Sequence, residues 1–164
     1  MRKQQTPTVD ERDLQLIKFL EEEGRMPWSE IASKMNVSEA TVYLRVKRLL
    51  NEGVIRGFTV RTDPSKLGLD ATAFLLVRVR ADSIAKAREM LRGLYFVIEA
   101  YETTGPYNFL VKVLAPSQRE LSSAIEAIAS TPGVVEVSSI LALSEVKQSF
   151  SISSVYERWL SAKS

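Results

Sequence analysis

Three residues, Asn36, Val37 and Ser38, are all that separate two helical patterns in the first third of this chain, and so short a join dictates much of its fold. Before the join, Ile31, Ala32 and Met35 recur at helical spacing after Pro27, with Ser29 expected near the cap. After it, Val42, Val46 and Leu49 share one stripe, and Gly53 ends the pattern. Asparagine tolerates the left-handed backbone that so tight a reversal needs, Val37 points inward from it, and Ser38 is a strong N-cap. An earlier helix opens at Asp10, with Asp13 three positions on in the capping-box place, and Leu14, Ile17 and Leu20 run on towards Gly24. Two short helices meeting at a tight turn, the second of them basic, are the sequence form of a helix-turn-helix.

The recognition helix of that motif runs from about Glu39 to Asn51. Its free face and flanks carry Glu39, Thr41, Tyr43, Arg45, Lys47, Arg48 and Asn51. Arginine and lysine suit phosphates and guanine edges, while threonine and tyrosine suit phosphates or thymine methyls. A charged face is common to any solvated helix; the spacing of the turn is what points it at DNA. The DNA-contacting set is therefore Ser38, Thr41, Tyr43, Arg45, Lys47 and Arg48, joined by Arg56, with Arg61 nearby. Lys47 and Arg48 are expected to point away from the core, so that replacing either leaves the fold intact. The stretch Val54–Arg61 alternates around Gly57 and reads as a small hairpin, the wing beside the groove.

Turn chemistry at Asp63-Pro64-Ser65-Lys66 marks a boundary. Beyond it, strand and helix signals alternate: strand 71–80, helix 83–94, strand 96–104, strand 109–115, a helix opened by Pro116-Ser117, and strand 134–143. The order βαββαβ predicts two helices on one face of a four-stranded antiparallel sheet, a ferredoxin-like layer. The fold class is α+β: a winged helix-turn-helix over 1–62, a linker over 63–70, a ferredoxin-like domain over 71–148 and a tail over 149–164. Strand 71–80 is apolar on both faces, with Leu75, Val77 and Val79 on one and Phe74 and Leu76 on the other. Leu110 and Ile140 add to the second face. An uncovered apolar face calls for a second copy of the chain, a homodimer, or else for the N-terminal domain to fold over it. The tail, with Phe150, Ile152, Val155, Tyr156, Trp159 and Leu160, is expected to add an edge strand and a short amphipathic helix.

Composition narrows the chemistry. The 164 residues contain no cysteine and no histidine, which excludes disulfides, thiol nucleophiles, zinc sites built on those residues, and every Ser-His or Cys-His arrangement. No glycine-rich phosphate cradle is present either, so no enzyme activity, no metal and no cofactor is expected. No stretch is long enough to cross a bilayer and the first residues lack an apolar core, which points to a cytoplasmic protein. Net charge is only +2. So even a balance weighs against an architectural protein coating DNA through phosphates with little sequence preference, the alternative to a sequence-specific regulator.

The motifs together resemble the Lrp/AsnC, or feast/famine, transcriptional regulators of bacteria and archaea. The likeness runs from Asp10-Glu11-Arg12-Asp13-Leu14 through Gly24-Arg25, Ser38 and Val42–Leu49 to Glu52-Gly53-Val54-Ile55-Arg56-Gly57-Phe58. It continues through Asp63-Pro64, Leu67-Gly68, Thr103-Thr104-Gly105, Tyr107, Phe109, Pro132-Gly133-Val134 and Lys147. The resemblance implies dimers formed through the second domain, assembly into octamers or other multiples, and an amino-acid effector bound near the loop after the second strand. On this chain that implies Thr103, Gly105, Tyr107, Asn108, Ser138 and Ser139 as effector residues. The family's loop reads Gly-Asp-Tyr-Asp, whereas here Pro106 and Asn108 replace two carboxylates that would pair with an ammonium group. A changed ligand, weaker binding and no effector are all open. Leu44 stands where relatives often carry a polar or basic side chain.

Overall fold

A computed structural model of the chain describes residues 9–161. Residues 1–8 and 162–164 of the expected first domain and tail, and the side chain of Leu160, lie outside the described residues. The chain divides into two compact units, one made of the segments up to Val60 and from Lys147 onward, the other of Arg61–Val146.

The first unit is helical: α1 (Glu11–Glu22), α2 (Trp28–Met35), α3 (Glu39–Asn51) and, from the tail, α6 (Ile152–Ser161). Asp10 caps α1 reciprocally with Asp13, each side chain accepting the other's backbone N–H at 2.7 and 3.0 Å. The buried stripe of α1 is Asp13 and Leu16, flanked by the half-buried Ile17 and Leu20. It is thus rotated from the expected Leu14–Ile17–Leu20 line, because a carboxylate holds one of the inward positions. Helix α2 starts at Pro27 with no side-chain cap, so Ser29 does not play the role expected of it.

At the far end of α2, Asn36 adopts the left-handed conformation (φ 52°). Val37 N–H reaches Ala32 O at 3.0 Å and Asn36 N–H reaches Ser33 O at 3.2 Å, a Schellman closure that turns the chain within three residues. Ser38 then accepts Thr41 N–H at 3.1 Å and starts α3, whose Val42, Val46 and Leu49 enter the core. Residues 54–62 form no hairpin. Gly57 leaves arms of only three or four residues, and Phe58 and Val60 stay exposed, so neither arm buries a face that would hold a two-stranded ribbon.

The second unit is the antiparallel sheet β2-β3-β1-β4, built from β1 (Ala71–Val79), β2 (Val97–Glu102), β3 (Phe109–Ala115) and β4 (Val134–Leu141). Helices α4 (Ile84–Gly93) and α5 (Gln118–Ala129) cover one face. Alternation sorts the strands: Ala73, Leu75 and Val77 of β1 and Phe109, Val111 and Val113 of β3 pack with Ala87, Leu91, Leu121, Ala124 and Ile128. Their neighbours Phe74, Leu76 and Leu110 point to the other face and are half-buried, and Ile140, opposite Phe74, is exposed. Gly133 enters β4 where the backbone passes so close to Ser83 that any Cβ would collide with its side chain. Ala142 N–H still reaches Thr72 O of β1 at 3.0 Å, but no strand forms between there and α6, so the expected edge strand is absent.

Candidate nucleic-acid interface

Helix α3 presents three kinds of surface. Val42, Val46 and Leu49 face inward. Opposite them, Ala40, Tyr43, Leu44, Lys47 and Asn51 follow one another at helical spacing and are all exposed, with Tyr43 at 47% and Leu44 at 62%. This outward stripe is aromatic and apolar with one cation. Trp28 of α2 lies against Tyr43, ring centroids 5.3 Å apart, and the Lys47 ammonium sits 5.9 Å from the Tyr43 ring centroid. Sequence reading missed Trp28, because a tryptophan opening a short helix reads as core.

Between the two surfaces lies a flank where Arg45 and Arg48 turn back towards α1. Arg45 Nη1 donates to Asp13 Oδ1 at 2.7 Å and to Asp10 at 2.8 and 3.1 Å, and Arg48 Nη2 donates to Asp13 Oδ2 at 2.5 Å. Asp13 is fully buried, and its Oδ2 also accepts Asp10 N–H in the α1 capping box. The pairing holds both guanidiniums firmly protonated, Arg45 through Asp10 first and Arg48 through Asp13, and Arg45 holds the Asp10 carboxyl below its ordinary range. Arg48 therefore does not simply point away from the core, as expected from its position. With Arg45 it neutralises Asp13, the one buried carboxylate among the described residues, and its removal bears on folding. The helix stripe alone could not reveal this, since it needs the place where α1 crosses α3. Ser38 and Thr41 cap and open the helix, and their hydroxyl oxygens lie 2.8 Å apart. Arg56 is exposed in the irregular segment after α3.

The loop between β2 and β3 is closed by its own polar groups. Asn108 Oδ1 accepts Val79 N–H at 2.8 Å, where the register of β1 against β4 shifts, and Asn108 N–H reaches Val77 O at 2.9 Å. Its side-chain oxygen thus completes a strand end, where the family's usual aspartate would add a charge. Thr103 Oγ1 donates to Tyr107 O at 2.9 Å, and Gly105 takes φ 107° at the exposed tip. Tyr107 hydroxyl donates to Glu136 Oε1 at 3.0 Å, and Glu136 Oε2 receives Arg78 Nη2 at 2.6 Å. The carboxylate raises the Tyr107 phenol above its usual range, while Arg78 keeps Glu136 low. Sequence reading missed Glu136 and Arg78, which reach Tyr107 only through the register of β1 and β4. Ser138 lies on the Tyr107 side, paired across from Leu76; Ser139, across from Leu75, belongs to the opposite face. The six expected effector residues are therefore not brought to one point.

A capped, tightly turned helix pair in one unit and a ferredoxin-like sheet in the other are the parts of a helix-turn-helix regulator with a second domain. Family models agree: residues 9–56 match a winged helix-turn-helix DNA-binding domain and residues 72–152 an Lrp/AsnC ligand-binding domain. The HTH-type transcriptional regulator FL11 of Pyrococcus abyssi is 36% identical over 86% of this chain and 93% of its own length. The regulatory protein AsnC of Haemophilus influenzae is 32% identical over 71% of this chain and 79% of its own length. The structure of Escherichia coli AsnC superposes with a TM-score of 0.80 at 26% identity, over 85% of this chain and 95% of that one. A Neisseria meningitidis regulator, solved with L-methionine, shares the fold with a TM-score of 0.82 at 24% identity, over 88% and 96%. The chain belongs to the Lrp/AsnC family and is a helix-turn-helix transcriptional regulator. No helix among the described residues is long and apolar enough to cross a membrane.

Proposed function

We propose that this regulator reads duplex DNA in the cytoplasm with the outward stripe of α3, as a homodimer joined through the uncovered sheet face. The observation that carries the reading is the division of α3. Tyr43, Leu44 and Lys47 are exposed on one continuous line, while Arg45 and Arg48 are occupied on the flank. In a major groove, Tyr43 and Leu44 meet base edges and thymine methyls, and Lys47 meets a phosphate or a guanine. Ser38 and Thr41 bring backbone N–H groups of the helix start to a phosphate, and Arg56 adds a contact beside the groove. Phe74, Leu76, Leu110 and Ile140 supply the apolar face for a second copy, and a dimer carries two recognition helices, one for each half of a pseudo-palindromic site.

Effector sensing is part of the proposal. The matched ligand-binding domain and the neighbour solved with L-methionine support a small-molecule ligand of amino-acid type at the β2–β3 loop, with Tyr107 and Thr103 as its polar contacts. Asn108, turned to the β1 backbone, orders the loop and carries no charge for an ammonium group.

Titrating the protein's own promoter region against a mixed-sequence duplex at physiological salt tests the reading. The promoter is expected to bind at least about a thousandfold tighter. Tyr43→Ala and Leu44→Ala should erode that ratio, and Lys47→Ala should weaken both duplexes. Equal affinity for the two duplexes would sink sequence-specific control.

A further inference from the structure

Arg45 approaches DNA already holding an anion. Its three contacts all run through one nitrogen, Nη1: to Asp13 at 2.7 Å and to the two oxygens of Asp10 at 2.8 and 3.1 Å. The two carboxylates differ in what surrounds them. Asp13 is fully buried, whereas the side chain of Asp10 is 52% exposed. Asp10 also lines, with Thr41, Leu44, Arg45 and Arg48, an open groove of about 540 Å³ that runs along the flank of α3. Thr41 and Leu44 place this groove directly beside the outward stripe.

We infer that Asp10 stands in for a DNA phosphate on Arg45, and that docking on duplex exchanges this carboxylate for a backbone phosphate while Asp13 keeps the guanidinium in place. The inference rests on the reading of α3 as the docking helix. Carboxylate and phosphate are the two anions that a guanidinium fork recognises through the same N–H donors. Asp13 is not exchangeable, because parting a fully buried carboxylate from its partners would leave an unpaired charge in the core. Asp10 is, because an exposed ion pair contributes little and its carboxylate returns to water. Its release need not unwind α1, since the hydrogen bond from Asp13 N–H to Asp10 Oδ1, at 2.7 Å, is independent of Arg45. Two consequences follow for binding. Arg45 is pre-positioned before DNA arrives, which limits the ordering cost on docking. Every phosphate that reaches it must displace a resident anion, which holds down occupancy of DNA in general.

The test compares the full-length protein with Asp10→Asn and Glu11→Gln, by fluorescence-anisotropy titration of a promoter duplex and a mixed-sequence duplex. Asparagine is as good an N-cap as aspartate, so α1 is retained, which circular dichroism verifies. Glu11 is the next residue, exposed, and its substitution removes the same charge without opening a pair to Arg45. Asp10→Asn is expected to tighten both duplexes roughly threefold per subunit, the scale of an exposed ion pair. Glu11→Gln should gain less, and adding Arg45→Gln should abolish the Asp10→Asn gain. A gain no larger than that of Glu11→Gln, or one that survives Arg45→Gln, overturns the exchange. Failure of the unmodified protein to bind either duplex would instead overturn the DNA-reading assignment, and this inference with it.

Discussion

In the sheet unit every buried side chain among the described residues is apolar, from Ala73 and Leu75 on β1 to Ile128 on α5. The helical unit instead seals a carboxylate, Asp13, among eight buried apolar residues and closes it with two arginines from another helix. The difference follows from geometry. Central strands flanked by neighbours and covered by two helices bury alternate side chains completely, and apolar burial alone fixes their register. Three short helices enclose much less apolar area. An ionic link there ties α3 to the start of α1 and so helps to hold the recognition stripe in place. The same unit recruits α6, whose first turn delivers Ile152 N–H, Ser153 N–H and the hydroxyls of Ser151 and Ser153 to the Glu21 carboxylate, while Lys18 pairs with Glu157 at 2.6 Å.

The comparison breaks most visibly if the ionic link is dispensable. The double variant Arg45→Gln/Arg48→Gln leaves Asp13 buried without a cation and is expected to cost the helical unit about 3–5 kcal/mol. Asp13→Asn should cost less, since the arginines it releases reach solvent. Both tryptophans, Trp28 and Trp159, belong to the helical unit, so their fluorescence during urea unfolding reads that unit alone. A double-variant loss below about 1 kcal/mol would mean that Asp13 finds water and that the link is ornamental.

The docking of α6 is the next smaller effect. Glu21→Gln keeps the shape of the side chain but removes the charge that gathers the first-turn donors of α6. Capping energetics give an expected cost of about 1 kcal/mol. It should show as faster amide exchange in residues 152–161 and a changed Trp159 emission, with the sheet unit unaltered. Exchange rates unchanged in that helix would place its anchorage in Lys18–Glu157 or in apolar contact instead.

The contrast between the units also explains what was legible in the sequence. Strand β3 begins and ends where the pattern placed it, at Phe109 and Ala115, because Gly105-Pro106 and Pro116 punctuate it and alternation fills it. The turn at Asn36 and the Ser38 cap were equally readable, being local chemistry. Asp13 was readable as a capping residue but not as a buried ion, because its pairing depends on arginines 32 and 35 residues away on another helix. The same holds for Tyr107, Glu136 and Arg78, which meet through the register of strands whose sequence separation hides them. The hairpin after α3 was over-read, since alternation around Gly57 describes an extended segment without supplying a partner. Charge on α3 misled in a subtler way. Arg45 and Arg48 dominate its basic count, yet the exposed stripe beside them is Tyr43, Leu44 and Lys47.

The smallest expected effect is on the acid limb of the helical unit. Arg45 holds the Asp10 carboxyl below its ordinary range, chiefly through their hydrogen bond. A carboxyl depressed in the folded state stabilises it at every pH above the unfolded value, near about 3.9, and loses that contribution as pH falls through the lower folded value. Because Asp10 is half exposed, the contribution is small, below about 1 kcal/mol. The stability gap between the unmodified protein and Asp10→Asn, followed by tryptophan fluorescence, should therefore be flat from pH 7 down to about pH 4 and close below it. A gap that widens on acidification would reverse the sign, and the Asp10–Arg45 pair would then oppose folding. A gap that closes already between pH 7 and 5 would assign the titration to another group. In either case Asp10 would not be the charged, resident anion that its place on Arg45 requires.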